Sequence, residues 1–465
     1  MVKSDRAQRA SDASGCFSSA RGPALGSHDN KCGSELAITY VSPDDLTEAP
    51  RNARTHSGKQ VSQIRLSIEK NGFANPVLVD EKFVVIAGHG RLMAARKLSM
   101  TSIPVIILNG LSEMQKRQLA IADNAIAANA GWDLDKLAIE LKDFAELDGF
   151  EPLSIGFEPA EIDRILFDQE AHTADPADDV PKPGQKQVSK IGDLWQLGQH
   201  RLLCGDARVA ADFDRLMNGD RAAMVFTDPP YNVRVGDIVG RGERKHQEFA
   251  MASGEMDEAE FAAFLQTTLG NAAAVSAPGA VHFACMDWRH IATLIDVGRN
   301  VYDDMLNLIT WVKSNAGQGS FYRSQHELIG VFRVGDAPHR NNIELGRHGR
   351  NRSNVWHYAG VNSFGKGRLD DLKVHPTVKP VGMIVDAITD CTTRGDIVLD
   401  CFGGSGTTML ACERTGRKAR LIEYEAGYVD ATIRRWQSFT GKDAVSVETG
   451  LVFDETADTR DGEVC

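Results

Sequence analysis

The chain has 465 residues, of which 42% are hydrophobic and 25% are charged, and its formal net charge at neutral pH is −12. Its length fits two or three domains, and its composition is that of a folded protein rather than a disordered or fibrous chain. No stretch contains the roughly 20 apolar residues that a membrane-spanning helix needs, so we expect no membrane contact.

The acidic residues are concentrated in two segments. Residues 168–180 contain five acidic residues and neither Lys nor Arg, and residues 452–465 contain five acidic residues and one Arg. The rest of the chain is therefore close to neutral. Because the distribution of charge matters more than its sum, the negative net charge does not exclude a nucleic-acid partner.

Residues 1–35 are rich in Ser, Gly, Ala and Arg and contain no apolar core stretch, which predicts a disordered segment rather than a signal peptide. The eight cysteines of the chain lie at no metal-ligand spacing and form no CxxC pair. We therefore expect reduced thiols, a cytoplasmic protein and no metal site.

Residues 36–110 predict a small domain of alternating strands and helices. Strands are expected at the start of residues 38–46 and at residues 76–79, 83–86 and 103–107. Helical spacing in residues 61–70 ends at an Asn-Gly stop signal. A second helix opens at Gly88-His89-Gly90-Arg91, a turn that can hold a phosphate at the helix N-terminus. The alternative is that this turn only caps the helix.

Three more helices are predicted at residues 112–128, 133–147 and 159–167, and the first two begin with a capping residue. Together they form a helical appendix, residues 111–170, in which we find no helix-turn-helix signature. Residues 171–188 contain several prolines and acidic residues, which predicts an exposed and extended linker.

The apolar run at residues 222–226 predicts a buried strand, and Asp228-Pro229-Pro230-Tyr231 follows it. The two prolines fix φ and remove backbone donors, so the carbonyl groups of the turn stay free to accept hydrogen bonds. An ionised Asp can only accept, and Tyr adds a flat face for stacking. This combination suits a flat ring that carries an amine, such as a base flipped out of a duplex. A β-turn with a buried Tyr is the alternative.

Residues 397–400 predict a second buried strand, which is followed by a glycine-rich turn and a helix, the front half of a nucleotide-binding unit. Met409 stands where a dinucleotide fingerprint needs a third glycine, and the turn lacks the Lys of a phosphate-binding P-loop. Asp400 would repel a phosphate and attract an ammonium group. Glu423, at the end of the next strand, stands where a ribose-binding carboxylate is expected. The pattern favours a ligand with an amino acid at one end and a ribose further on, such as S-adenosylmethionine, while a plain helix cap stays open.

Residues 340–373 form a basic segment with seven Lys or Arg residues and three acidic residues. Arg can read guanine edges, Asn can read adenine edges, and other basic side chains can contact phosphates. We therefore expect target recognition within about residues 335–373, with a solvated basic loop as the alternative. The candidate DNA-binding residues are Arg340, Asn341, Arg347, Arg350, Arg352 and Lys366.

Several motifs occur in the order that is typical of the β class of DNA amino-methyltransferases, and residues 189–445 resemble that class. Residues 192–198 and 200–206 resemble its opening strands, the DPPY turn comes next, residues 375–380 resemble its HPTxKP motif, and residues 400–408 resemble its DxFxGSGTT motif. Residues 311–313 and 327–329 match a further pair of strands. Cys401 stands where Pro is common in the family.

The resemblance implies an α/β fold: a Rossmann-like methyltransferase domain that uses S-adenosyl-L-methionine and acts on double-stranded DNA. The implied catalytic residues are Asp228, Pro229, Pro230 and Tyr231. The implied cofactor-binding residues are Asp206, Thr377, Lys379, Asp400, Phe402, Gly404, Ser405, Gly406, Thr407, Thr408 and Glu423. No Pro in the chain is followed by Cys, so the Pro-Cys nucleophile of cytosine-C5 methyltransferases is missing.

In this family, Asp at the first position of the tetrapeptide favours adenine N6 over cytosine N4, and cytosine N4 remains the alternative. Two other functions stay open: a DNA- or nucleotide-binding adaptor with an inactive methyltransferase half, and an amino-methyltransferase that acts on protein or RNA. Related enzymes that modify a glutamine amide use Asn at the position of Asp228, which points away from the latter. A companion restriction enzyme and a homodimer also stay open.

The N-terminal part resembles the small α+β N-terminal domain of ParB-type proteins and its sulfiredoxin relatives, whose signature is a Gly-x-x-Arg turn. The turn at Gly88–Arg91 contains no Cys, which excludes sulfiredoxin-like redox chemistry. The predicted organisation is a disordered segment (1–35), a ParB-like domain (36–110), a helical appendix (111–170), a linker (171–188), a methyltransferase domain (189–445) and an acidic tail (446–465).

Overall fold

A computed structural model describes residues 36–145, 147, 149–167, 187–233, 254–314, 316, 321–344, 351–359 and 379–462. The chain divides into two compact units, residues 1–131 and residues 132–465. No helix within these described ranges is long and apolar enough to span a membrane. The segment 1–35, predicted to be disordered, and most of the predicted linker lie outside the described residues.

The N-terminal unit contains a four-stranded mixed sheet. Its strand order is β1-β4-β2-β3, with β1 at Ile38–Val41, β2 at Val77–Val79, β3 at Val85–Ala87 and β4 at Ile103–Ile107. A 3-10 turn (Pro43–Asp45) follows β1, and the helices are α1 (Gly58–Asn71), α2 (His89–Lys97) and α3 (Glu113–Ala128). The Ser57 and Ser112 side chains cap α1 and α3, which stabilises each helix start by about 1 kcal/mol. The strands and helices predicted for this region are confirmed.

The helices predicted between residues 111 and 170 are present, but they do not form one appendix. α3 belongs to the N-terminal unit, whereas α4 (Leu134–Ala145) and α5 (Pro159–Phe167) belong to the C-terminal unit. α5 belongs to the C-terminal unit because its buried Asp163 forms an ion pair with Arg417 of that unit. The carboxylate and the guanidinium are 2.7 Å apart. A 3-10 turn (Pro152–Ile155) lies between α4 and α5.

The C-terminal unit is built on a ten-stranded mixed sheet in the order β11-β9-β10-β8-β7-β12-β13-β6-β5-β14. The strands are β5 (Leu194–Leu197), β6 (His200–Cys204), β7 (Ala222–Thr227), β8 (Ser276–Met286), β9 (Asp304–Val312), β10 (His326–Arg333), β11 (Val355–His357), β12 (Ile397–Asp400), β13 (Lys418–Glu423) and β14 (Val445–Ser446). The five central strands β8, β7, β12, β13 and β6 are parallel to one another. Their carboxyl ends therefore meet at one edge, where doubly wound sheets bind ligands.

The helices that connect these strands are α6 (Ala210–Met217), α7 (Glu258–Ala274), α8 (Ile291–Val301), α9 (Val381–Cys391), α10 (Thr407–Thr415), α11 (Ala426–Thr440) and α12 (Phe453–Gly462). β14 and α12 occupy most of the segment that was predicted as an acidic tail. Phe453 is 1% exposed and packs on Trp195, with ring centroids 5.3 Å apart. Arg460 of α12 forms an ion pair with Asp193. The acidic composition of the segment gave no indication of the contacts of Phe453 and Arg460 with the rest of the unit.

Candidate active site

The carboxyl end of β7 positions the predicted tetrapeptide turn. Asp228 directly follows the strand, and two donors orient its carboxylate. The Tyr231 hydroxyl donates to Asp228 Oδ1 at 2.6 Å, and Lys379 Nζ donates to Oδ2 at 2.5 Å. Burial raises the pKa of Asp228, while the neighbouring ammonium group of Lys379 opposes this effect. The turn therefore presents a carboxylate of fixed orientation beside the glycine-rich turn after β12.

That glycine-rich turn is tight and leads directly into α10. Gly406 has φ +82°, and a Cβ at this position would lie 2.5 Å from Cγ2 of Thr432, so only glycine fits. Asp400, at the end of β12, accepts hydrogen bonds from Thr408 Oγ1 at 2.7 Å and from the backbone amide of Phe402 at 3.1 Å. These contacts hold the Asp400 carboxylate at the start of the turn.

Glu423 ends β13, next to the same turn. Its carboxylate accepts hydrogen bonds from the backbone amides of Gly404 at 2.7 Å and Glu425 at 2.8 Å. Burial raises the pKa of Glu423 to about 7 and that of Asp400 to about 6. Desolvation of the charged forms is the main cause of both shifts. Two anionic groups that are costly to ionise thus lie in one place, which favours a ligand that compensates their charge.

One pocket brings most of the predicted catalytic and cofactor-binding residues together. It is lined by Gly205, Ala207, Phe226, Asp228, Pro229, Pro230, Tyr231, Val233, Lys379, Ile384, Asp400, Cys401, Phe402, Gly403, Gly404, Ser405, Thr407, Thr408, Glu423, Tyr424, Glu425 and Tyr428. Asp206 does not line this pocket; its carboxylate pairs with Arg208 at 2.6 Å. Gly406 is part of the turn but does not line the pocket. Thr377 lies outside the described residues.

A buried charge network that the sequence analysis did not identify adjoins the tetrapeptide. Lys379, predicted to bind the cofactor, places its ammonium group 2.5 Å from Asp228 and 3.1 Å from Glu327 of β10. Glu327 also pairs with Lys313, and it accepts a hydrogen bond from the Tyr231 hydroxyl at 3.0 Å. The sequence did contain a signal for this network, because Lys313 and Glu327 are charged residues in the otherwise apolar strand segments 311–313 and 327–329.

Three protein families match this chain. The DNA methylase family of N6/N4 type matches residues 222–434, the ParB N-terminal domain matches residues 27–125, and the helix-turn-helix domain of ParB-methyltransferases matches residues 135–191. The chain is a DNA methyltransferase of the N6/N4 type with a ParB-like N-terminal domain. The resemblance inferred from the motifs is thereby confirmed.

Relatives of the methyltransferase match its two parts separately. The ParB-like nuclease domain-containing protein YnaK of Escherichia coli is 51% identical over 84 residues, which are 18% of this chain and 97% of that protein. The type II methyltransferase M.HpaI of Haemophilus parainfluenzae is 25% identical over 260 residues, 53% of this chain and 77% of that protein. The crystal structure of an M1.HpyAVI–SAM complex aligns with a TM-score of 0.36 at 20% identity, covering 50% of this chain and 98% of that chain.

The match at residues 135–191 corrects the expectation that no helix-turn-helix is present. α4 and α5 are the described helices of this segment. They are separated by a long connection with its own 3-10 turn, whereas a typical helix-turn-helix has a turn of about three or four residues. The length of this connection explains why the sequence pattern did not reveal the motif.

The residues that were predicted to read DNA lie in different environments. Arg347, Arg350 and Lys366 lie outside the described residues. Arg340 and Asn341 are exposed, and Asn341 Oδ1 accepts hydrogen bonds from two following backbone amides. The guanidinium of Arg352 pairs with Asp386 at 2.9 Å and with Asp390 at 3.2 Å. These two acids of α9 hold Arg352 within the domain, which favours a structural role over its predicted role in reading a base.

The Gly88–Arg91 turn begins α2, as predicted. Gly88 has φ +102°, a conformation that favours glycine. His89 Nε2 accepts a hydrogen bond from the backbone amide of Ala49 at 3.3 Å, and Arg91 donates to the carbonyl oxygen of Asn75 at 2.9 Å. Burial lowers the pKa of His89, so this imidazole is a neutral acceptor near pH 7. The turn is thus fixed at both ends.

Proposed function

We propose that this methyltransferase transfers a methyl group from S-adenosyl-L-methionine to the exocyclic amine of a base flipped out of double-stranded DNA, and that the base is adenine. The observation that carries this proposal is the placement of Asp228 and Asp400 in one pocket, at the ends of the neighbouring strands β7 and β12. Asp228 can accept a hydrogen bond from the target amine, and Asp400 belongs to the glycine-rich turn that would bind the cofactor.

The residues of the glycine-rich side fit the chemistry of S-adenosylmethionine. Asp400 can bind the ammonium group of its amino acid end, and Glu423 can accept hydrogen bonds from its ribose hydroxyls. The N-terminus of α10 favours its carboxylate, because the helix dipole is positive there. The rings of Phe402 and Tyr428 supply flat apolar surface for its adenine. When bound, S-adenosylmethionine supplies the methyl group as an activated sulfonium.

Asp228 prepares the target amine for reaction. The lone pair of an exocyclic amine is delocalised into its ring, so the amine is a poor nucleophile. Each carboxylate oxygen has a second lone pair beyond those used by Lys379 and Tyr231, and Asp228 can therefore accept a hydrogen bond from the amine. A second hydrogen bond to the Pro229 carbonyl would draw the nitrogen toward a tetrahedral geometry and localise its lone pair. Positioning and a preorganised acceptor are the main sources of rate in such a step.

The Asp228 carboxylate can also accept the proton that the methylated amine must lose. When the nitrogen–carbon bond forms, the amine becomes positively charged and must lose one of its hydrogens. Burial raises the pKa of Asp228, which makes this carboxylate a better proton acceptor than an exposed one. The Tyr231 ring lines the pocket beside it and can stack on the flipped base, a contact worth about 1–3 kcal/mol.

The N-terminal unit would bind a phosphate group through the Gly88–Arg91 turn, at the start of α2. DNA or a nucleotide is a suitable source of that phosphate. Arg340 and Asn341, which are both exposed, are described candidates for contact with the DNA that is methylated.

The deciding experiment incubates the full-length protein with unmethylated double-stranded DNA and S-adenosylmethionine, and then identifies the modified nucleosides by mass spectrometry. We expect N6-methyldeoxyadenosine within a short defined sequence. N4-methyldeoxycytidine as the sole product would overturn the choice of base but not the mechanism. An unmodified substrate, together with methylation of a protein or RNA substrate, would overturn the proposed function itself.

A further inference from the structure

The ammonium group of Lys379 lies between two carboxylates in the interior of the protein. Its Nζ is 2.5 Å from Asp228 Oδ2 and 3.1 Å from Glu327 Oε2, and the side chain is 5% exposed. The group also lies 5.7 Å from the ring centroids of Tyr231 and Trp311. Few water molecules can reach such a position, so Lys379 must divide its positive charge between its two anionic partners.

Glu327 has a second cationic partner. Its Oε1 contacts the ammonium group of Lys313, which is 29% exposed at the end of β9. Lys379 and Lys313 together hold the pKa of Glu327 below its usual value in spite of its burial, so Glu327 is ionised near pH 7. The register of the sheet explains the arrangement, because Glu327 pairs with Trp311 and the side chain at 313 lies on the same face.

Three other titratable groups lie near Asp228. The Cys285 thiol of β8 is fully buried, and burial raises its pKa far above the physiological range. Burial likewise raises the pKa of the Tyr231 hydroxyl, which stays neutral and shares its single proton between Asp228 and Glu327. Asp400 approaches from the end of β12 and is the remaining anion.

Building on the proposed methyl transfer, we propose that Glu327 is a positioning residue: it shares the Lys379 ammonium group with Asp228 and so sets how strongly Asp228 accepts the target amine. Without Glu327, the whole charge of Lys379 would be directed at Asp228. The carboxylate would then be a weaker hydrogen-bond acceptor and a weaker proton acceptor. Without Lys379, Asp228 would be buried beside Glu327 alone and would become protonated.

Glu327 and Lys379 should therefore have opposite effects on the pH dependence of the reaction. Asp228 must be ionised to accept the amine, so the acidic limb of the kcat profile follows its pKa. We expect Glu327→Gln to lower kcat about tenfold and to move the acidic limb to lower pH by about one unit. Lys379→Met should move the acidic limb to higher pH by a similar or larger amount. A purely structural role of Glu327 would not produce shifts of opposite sign.

Lys313 provides an independent test that does not touch Asp228. In Lys313→Met, Glu327 would draw Lys379 away from Asp228, and the acidic limb should move to higher pH. The same change in the Glu327→Gln background should have little further effect, because the connecting residue is gone. This pair of variants keeps the proposal testable if Glu327→Gln alone folds poorly.

The control is Asp304→Asn, which removes a half-exposed carboxylate of β9 that lies 3.7 Å from Arg333. Its pH profile should match that of the wild type. An acidic limb that stays in place or moves upward in Glu327→Gln, or additive effects of Lys313→Met and Glu327→Gln, would overturn the proposal. Loss of the proposed function would look different, because the wild-type protein itself would then leave the DNA unmethylated.

Discussion

Asp163 of α5 and Arg417, which precedes β13, form an ion pair of 2.7 Å, and neither side chain is more than 1% exposed. The guanidinium of Arg417 also donates to Thr392 and to the Thr415 carbonyl oxygen. A helix that lies before the predicted methyltransferase domain is thus connected to the interior of the catalytic unit.

Removal of this charge should strongly destabilise the catalytic unit. Asp163→Asn leaves Arg417 buried without an anionic partner, and we expect a loss of about 3–5 kcal/mol in the free energy of unfolding. Asp220→Asn is the matched control, because Asp220 pairs with Arg420 at 3.0 Å but is 48% exposed. That change should cost no more than about 1 kcal/mol. Denaturant unfolding measures both values, and equal losses would contradict the special position of the buried pair.

The same ion pair predicts where the catalytic unit begins. A fragment of residues 132–465 contains α5 and should fold and bind S-adenosylmethionine. A fragment that starts at residue 189, the boundary predicted from the sequence, lacks Asp163 and should be markedly less stable. Thermal unfolding of both fragments, with cofactor titration by calorimetry, compares them. Equal stability would show that α5 is dispensable.

Asp228 should be essential for transfer but not for cofactor binding. In Asp228→Ala the target amine loses its acceptor, so we expect the rate to fall at least about 100-fold. The cofactor dissociation constant should stay within about tenfold of the wild-type value, because Asp400 and Glu423 are unchanged. Single-turnover methylation and calorimetric titration separate the two effects. Near wild-type methylation by this variant would remove Asp228 from the mechanism.

Cofactor binding should weaken in acid. The pKa values of about 6 for Asp400 and about 7 for Glu423 are raised in the folded protein, so protonation favours the folded state. The stability of the cofactor-free protein should therefore fall as the pH rises through 6 to 7. S-adenosylmethionine needs the ionised forms of both carboxylates, and its affinity should fall on the order of 100-fold between pH 7.5 and 5.5.

The increase in Tm that the cofactor causes reports this linkage directly. This increase in Tm should be larger at pH 7.5 than at pH 5.5. In Glu423→Gln the increase should no longer depend on pH within about one unit of pH 7, where Glu423 titrates. A cofactor-induced shift that is independent of pH would contradict the assignment of these two carboxylates.

Arg352 should affect stability rather than sequence preference. Its contacts with Asp386 and Asp390 predict that Arg352→Met costs about 1–3 kcal/mol of stability and leaves the methylated sequence unchanged. Arg340→Ala is the contrasting variant, since Arg340 is exposed and should contribute to DNA affinity with little effect on folding. Relaxed sequence preference in Arg352→Met, measured by sequencing of methylated DNA, would restore the base-reading interpretation.

The accuracy of the sequence predictions follows from the range of the interactions. The turns at Asp228 and Asp400 are local motifs, and the sequence predicted each of them, while the resemblance to the methyltransferase family implied that they serve one reaction. The role of Glu327 depends on the register between β9 and β10, which no local pattern reports. Arg352 appeared to be a free cation because its partners, Asp386 and Asp390, lie one helical turn apart on a distant helix. Charge counts along the chain cannot detect such pairing.

The order of strands in the sheet has a consequence for the synthesis of this protein. β6 and β7 leave the ribosome early, but β12 and β13, which pair with them in the centre of the sheet, follow only after residues 228–396. A nascent chain therefore carries two open strand edges, which are templates for aggregation until they are paired. Because β12 also leads into the glycine-rich turn that we propose binds the cofactor, the strands that protect the growing chain from aggregation also complete the proposed active site.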